Sequence, residues 1–213
     1  MPTPDLPQLI ADYLPRHGQS QKSRSALAPN LSFGRHQGPA AHDTKSAAVL
    51  LLLFQRNDRW FLPLTVRQPH LADHGGQVSF PGGMLEPGEP SDQGALRETD
   101  EEIGVAPSQV QILGRLPELY LYNSNYRVAP WIGYSQQSPQ FAPNDAEVAE
   151  LLEIPFSAFA VPESVEPMQI RRGQLQLTAP CFRWEEHRIW GATSMIMAEF
   201  SAILRAVQLT APD

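Results

Sequence analysis

The chain has 213 residues, 42% of them hydrophobic and 18% charged, with a formal net charge of -7 at pH 7. That length allows one generous domain or two small ones, and the hydrophobic fraction excludes a disordered chain. The acidic balance excludes a general nucleic-acid binder, and the longest apolar run, Ala47–Phe54, is less than half of the roughly 20 residues a membrane helix needs.

A short helix is predicted first: Leu6, Leu9, Ile10, Tyr13 and Leu14 fall at helical spacing, and Pro15 ends the pattern. The stretch from His17 to Lys45 is rich in Ser, Gly, Pro, Gln and His and reads as a connection. No charged region leads into an apolar stretch at the start, so no secretory signal is expected. Ala47–Phe54 is a continuous apolar run and predicts a strand buried on both faces. Asn57-Asp58 turns it into a hairpin partner, Trp60–Arg67. Gly75 to Gly88 reads as a structured loop. A helix follows from Ser91, expected as its N-cap, to Ile103, with Gly104 as its stop. Val110–Leu116, Glu118–Tyr122 and Tyr126–Tyr134 are strand-like, and Gln136 to Asn144 is a polar loop. Arg171-Arg172-Gly173 reads as a hairpin turn before Leu175–Trp184, and Ala192 to Val207 as an amphipathic helix. The expected organisation is an N-terminal helix and connection over 1–45, then one mixed α/β domain over 46–208. Cys181, the one cysteine, has no internal partner, which fits a reducing, cytoplasmic compartment.

The chemistry concentrates in the central helix. From Glu86 to Glu102 seven acids face one base, Arg97. Glu98, Glu101 and Glu102 stand at i, i+3 and i+4, so a helix puts them on one face, where like charges repel unless a cation neutralises them. A set of oxygen donors suits Mg2+ or Mn2+ rather than zinc. The preceding Pro81-Gly82-Gly83 lets backbone approach a ligand or metal closely, and a carbonyl there can complete the shell.

The stretch Gly83–Val105, with Glu89 six residues after Gly83 and Arg97-Glu98-Thr99-Asp100-Glu101-Glu102-Ile103-Gly104-Val105 closing it, resembles the Nudix box, the signature of the Nudix hydrolases. Thr99 stands where the pattern has a bulky aliphatic residue. The resemblance implies an α/β/α sandwich around a mixed sheet and hydrolysis of a nucleoside diphosphate derivative with a divalent metal. It implies that Glu98, Glu101 and Glu102 are metal ligands together with Gly83. One of Glu101 and Glu102 would be the base, with Glu118 as a further loop acid, and Glu89 would pair with Arg97 to orient the loop and helix.

Leu64 to Leu71, then Gly76 and Phe80-Pro81-Gly82-Gly83, and downstream Glu147–Pro155 and Ile189-Trp190-Gly191-Ala192-Thr193, resemble the coenzyme A pyrophosphatase subgroup. Pro63, Gln68 and Ala72 depart from its pattern, Ala72 where an arginine is common. The resemblance implies cleavage of coenzyme A to 3',5'-ADP and 4'-phosphopantetheine. Arg67, His70 and His74 are then candidates for holding the substrate phosphates, with Gly82 and Gly83 against the substrate. Two other readings stay open: a Nudix hydrolase of ADP-ribose or a dinucleotide, and a non-catalytic nucleotide sensor. Each takes a small nucleotide as partner and needs neither nucleic acid nor membrane. The sequence does not set the oligomeric state, and a homodimer is left open.

Overall fold

The computed structural model describes residues 5–17, 42–71, 74–122, 124–158, 165–172 and 175–210. Most of the predicted connection over His17–Lys45, the Ala72 position and the Gly173 turn position lie outside them.

Helix α1 (Leu6–His17) runs two residues past the expected stop, with Pro15 inside its last turn. Proline's fixed φ is itself helical, so near a helix end it removes one N–H bond without reversing the chain. Strand β1 (Lys45–Arg56) contains Leu50–Leu53, all fully buried. Each leucine contributes about 1.5–3 kcal/mol by leaving water. The expected hairpin to β2 (Arg59–Arg67) forms through Asn57 and Asp58, both in the left-handed region, and pairs Phe54 with Phe61. Two strands too short to show a period lie inside the predicted loop region: β3 (Val78–Ser79) and β4 (Gly82–Met84).

Helix α2 (Ser91–Ile103) has the expected bounds, but Ser91 is not its cap. Pro90 takes the N-cap position with extended backbone, and the Ser91 hydroxyl accepts the Trp131 indole N–H at 3.1 Å. At the other end Gly104 adopts φ 71° and its N–H donates to the Asp100 carbonyl. A Cβ there would stand 2.8 Å from that of Ala142. Gly104→Ala is therefore expected to cost at least about 1–2 kcal/mol, read as a lower urea midpoint.

Strands β5 (Val110–Arg115), β6 (Leu119–Leu121) and β7 (Tyr126–Ser135) follow their expected positions. Strand β8 (Val148–Pro155) falls in a stretch where the sequence patterning marked no strand. Its pairing along β2 supplies the order that its own pattern lacks. Arg171 and Arg172, expected in a turn, belong to β9 (Val165–Arg172), which pairs with β10 (Leu175–Trp184). Strand β11 (His187–Trp190) completes that three-stranded sheet, and α3 (Ala192–Thr210) ends the described chain.

The main sheet has the order β3-β2-β1-β7-β5, with β4 also on β1, β6 on β7 and β8 on β2. It is mixed: β1 and β7 run parallel, and the other pairs are antiparallel. On one face α2 packs Ala95, Leu96 and Ile103 against Ala48, Leu50, Leu52 and Ala129. On the other, Ile10 and Leu14 of α1 and Met195, Ile196 and Phe200 of α3 join Leu51, Leu53 and Ile132. This is the expected sandwich of helices around a mixed sheet.

Candidate active site

The β4–α2 unit carries the site. Leu85 of the intervening loop packs under α2, and Gly94 and Ala95 are buried against it. Thr99 is fully buried, and its hydroxyl donates to the Ala95 carbonyl at 2.7 Å. Its methyl therefore serves the core where an aliphatic residue was expected, while the polar atom is satisfied within the helix.

Arg97 is the hub. Its Nε and Nη2 donate to the two carboxylate oxygens of Glu89 at 2.8 and 3.0 Å. Nη2 also donates to the Met84 carbonyl at 3.1 Å, and Nη1 to Glu98 and Glu101 at 2.9 Å each. The hydrogen bond from Arg97, with a second from the Glu86 N–H, holds the Glu89 carboxyl below the usual range. Glu89 in turn raises the Arg97 guanidinium further. The loop and helix are thereby tied together.

Glu102 lies deeper, 2% exposed. The Gly82 N–H donates to its Oε2 at 3.2 Å, and Arg67 Nη1 approaches Oε1 at 3.4 Å. Burial pushes its carboxyl up to about 7, against the opposing pull of the Gly82 hydrogen bond and Arg67. Burial also raises Glu98, although Arg97 pulls the other way. A Cβ on Gly83 would stand 2.4 Å from a Glu98 oxygen, so any larger residue there would have to displace that carboxylate.

After burial, which is the leading cause, the like charge of Glu147 adds a minor upward pull on Glu98 and Glu102. Glu147 sits 45 positions beyond Glu102, in a turn ahead of β8, so helical spacing carried no signal of it. Of the other candidates, Glu101 is exposed and held by Arg97. Glu118 stands on the surface facing Arg115 and Arg127. His70 is exposed in the turn after β2, and exposed His74 shares a 2.9 Å hydrogen bond with Gln77.

The donor set fits a hard divalent cation. It consists only of oxygen, carries excess negative charge, and contains the buried Glu102 and half-buried Glu98, whose raised proton affinity a cation would relieve. Among the described residues, however, no three such side chains already converge on one point. Arg97 draws Glu98 and Glu101 toward itself, while Glu102 faces Gly82 and Arg67.

Residues 44–172 match the NUDIX domain. The chain belongs to the Nudix family. It is 36% identical over 162 residues to the uncharacterized Nudix hydrolase NudL of Pectobacterium atrosepticum, covering 75% of this chain and 83% of that protein. It is 36% identical over 154 residues to NudL of Yersinia pestis strain Pestoides F, covering 72% and 76%. Among solved structures, the fold resembles the Nudix hydrolase RenU from M. smegmatis, with a TM-score of 0.52 and 20% identity over 80% of this chain and 89% of that one. It also resembles a MutT/nudix family protein from Enterococcus faecalis, with a TM-score of 0.53 and 15% identity over 87% and 73%. The chain is thus an enzyme of the Nudix hydrolases, a family that generally uses divalent metal ions. No helix among the described residues is long and apolar enough to cross a membrane.

Proposed function

We propose that this Nudix enzyme hydrolyses the pyrophosphate bond of coenzyme A and its derivatives, with residues 46–208 as the catalytic domain and the cytoplasm as its working place. The observation that carries the reading is Arg67. It belongs to the stretch resembling the coenzyme A subgroup, and its guanidinium stands 3.4 Å from Glu102. The downstream stretch of the same resemblance is adjacent, since the Thr193 hydroxyl donates to the Val78 carbonyl at 3.0 Å.

In this reading Glu98 and Glu102, with the Gly83 carbonyl and Glu101, hold Mg2+ or Mn2+. Such a cation withdraws charge from the phosphate oxygens and acidifies water. Arg97 and Glu89 keep the glycine loop and helix in register. Arg67 turns from Glu102 to a phosphate of the substrate, with His70 and His74 on the same loop. One water is consumed: its oxygen joins phosphorus, the bridging P–O bond breaks, and the electron pair leaves with the other phosphate. Glu102 is better placed than Glu101 to take the water proton, because it lies buried between the Gly82 N–H and the Arg67 guanidinium. Glu101 is exposed and already paired with Arg97.

The test is turnover with Mg2+ or Mn2+ on coenzyme A, dephospho-coenzyme A, ADP-ribose and dinucleotides. Coenzyme A is expected to be preferred over its dephospho form, and Arg67→Ala to narrow that gap about tenfold, the size of a charge-assisted contact. Equal efficiency on both, or a preference for ADP-ribose, refutes the substrate. Gln68, which departs from the subgroup pattern, favours the second reading, a hydrolase of another nucleoside diphosphate derivative.

A further inference from the structure

Among the described residues, Met84 is one of two large apolar side chains left mostly exposed, at 55%. Its backbone is firmly held. The carbonyl accepts from Arg97 Nη2 at 3.1 Å, and the next amide, that of Leu85, donates to the Ser46 carbonyl at 2.9 Å. Within β4, Met84 pairs with Ala47 of β1. The neighbouring Gly83 position faces α2, since a Cβ there would meet Glu98. Strand residues alternate, so the Met84 side chain lies on the other side of β4. There the Tyr126 hydroxyl reaches its sulfur at 3.9 Å, and the Lys45 ammonium stands 5.6 Å from the centre of the Tyr126 ring.

Asn125 fixes the starts of the two strands that carry Lys45 and Tyr126. Its Oδ1 accepts from the Thr44 and Tyr120 hydroxyls, and its Nδ2 donates to Asp43, each at 3.0 Å. Its carbonyl accepts the Lys45 N–H, also at 3.0 Å. An exposed thioether is thereby seated on a fixed aromatic ring, one residue beyond the glycine that meets Glu98. Successive Cα atoms are about 3.8 Å apart, so a phosphate held at the acids leaves its substituent within reach of Met84. Among the described strands β4 pairs with β1 alone, and its open edge lies between the two.

Chemistry selects the substituent. In coenzyme A, the oxygen of the pantetheine phosphate is bonded to a CH2 whose neighbour is a carbon bearing two methyl groups. On the adenosine arm, and on both arms of ADP-ribose or a dinucleotide, a ribose with its hydroxyls follows the phosphate instead. A thioether gives a hydroxyl no donor and only a weak acceptor, but it packs readily on methyl groups.

We infer that Met84 is a specificity-determining residue, whose exposed side chain receives the dimethyl carbon of the pantetheine arm and so tells that arm from a ribose. The inference rests on the coenzyme A reading above. In that reading Arg67, at Glu102, takes a substrate phosphate, and Met84, beyond Gly83, takes the uncharged arm. Tyr126 is a positioning residue that backs the thioether.

The experiment measures steady-state kinetics of the full-length protein with Mg2+ on coenzyme A, on its analogue lacking the two methyl groups, and on ADP-ribose. Wild type is compared with Met84→Gln, which keeps the length of the side chain and makes its end polar, and with Met84→Leu, which keeps it apolar. Met84→Gln is expected to lower kcat/KM on coenzyme A about tenfold, mainly through KM, the low end for an apolar contact because the site is open. Met84→Leu should recover most of that loss. On the demethylated analogue the Met84→Gln loss should shrink to less than about threefold, since the partner of the side chain is gone. Melting temperatures should match, because the substituted side chain faces solvent. Wild-type efficiency in Met84→Gln, or an equal loss on all three substrates, overturns the contact while a preference for coenzyme A still stands. A wild-type protein that cleaves ADP-ribose and not coenzyme A refutes the substrate reading, and the contact falls with it.

Discussion

Glu102→Gln and Glu98→Gln are each expected to lose about a hundredfold or more in kcat while folding normally, the scale set by removing a group that handles charge and protons at the reacting centre. Glu102→Gln also changes the cation-free protein. Glu102 is nearly fully buried and its carboxyl is pushed up to about 7 from 4.5. The folded chain therefore holds that proton more tightly than the unfolded chain. The stability it contributes is complete below about pH 4.5 and is lost as pH rises through 7. The swing has a ceiling of about 3 kcal/mol. In EDTA, wild type is expected to lose stability relative to Glu102→Gln between pH 5 and pH 8, and added Mg2+ to restore it. Urea midpoints at the two pH values decide this. Parallel behaviour of the two proteins, or retained turnover in either variant, contradicts the assignment.

Arg97→Ala is the second large effect, and it strikes stability and turnover together. One guanidinium holds Glu89, Glu98, Glu101 and the Met84 carbonyl, with about a quarter of its side chain exposed. Removing it leaves three carboxylates facing one another and frees the glycine loop from the helix. Breaking a fully buried ion pair costs about 3–5 kcal/mol, and partial exposure reduces that here to about 2–3 kcal/mol. Arg97→Lys should recover part of the charge but not the two-pronged grip on Glu89. A thermal melt showing less than about 1 kcal/mol of loss would mean that Arg97 is an ordinary surface base.

Which parts of the site could be read from sequence follows from how each is held. Glu98, Glu101 and Glu102 lie on one helix, whose period puts them on one face. Gly83 of β4 and Glu89 of the loop feeding that helix stand at short fixed spacing ahead of it, so spacing reports them too. The turn that carries Glu147 is held to the end of α2 by hydrogen bonds from the Ala142 and Asn144 amides to the Ile103 and Glu102 carbonyls, and such bonds leave no trace in side-chain pattern. The same holds for the fold. Leu50–Leu53 announce a doubly buried strand because every residue is apolar. Val78–Ser79 and Gly82–Met84 become strands only through their neighbours, β2 and β1. Ser91 had the chemistry of a cap, but Pro90 already held the extended backbone and Trp131 took the hydroxyl.

The parallel pairing of β1 with β7 sets the order in which this protein can come together. Its partners, from Lys45 with Tyr126 to Phe54 with Ser135, are about 80 positions apart, and closing so long a loop precedes any reward from the contacts it makes. The β1–β2 hairpin and α2 can form early from local contacts alone. The floor on which α2 rests combines Leu50 of β1 with Ala129 of β7, so it exists only after that closure. On the ribosome α2 and its acids thus lack the surface they dock on until β7 has emerged. Refolding should show burial of the β1–β2 hairpin before any gain in cation affinity, with the metal site among the last features to mature.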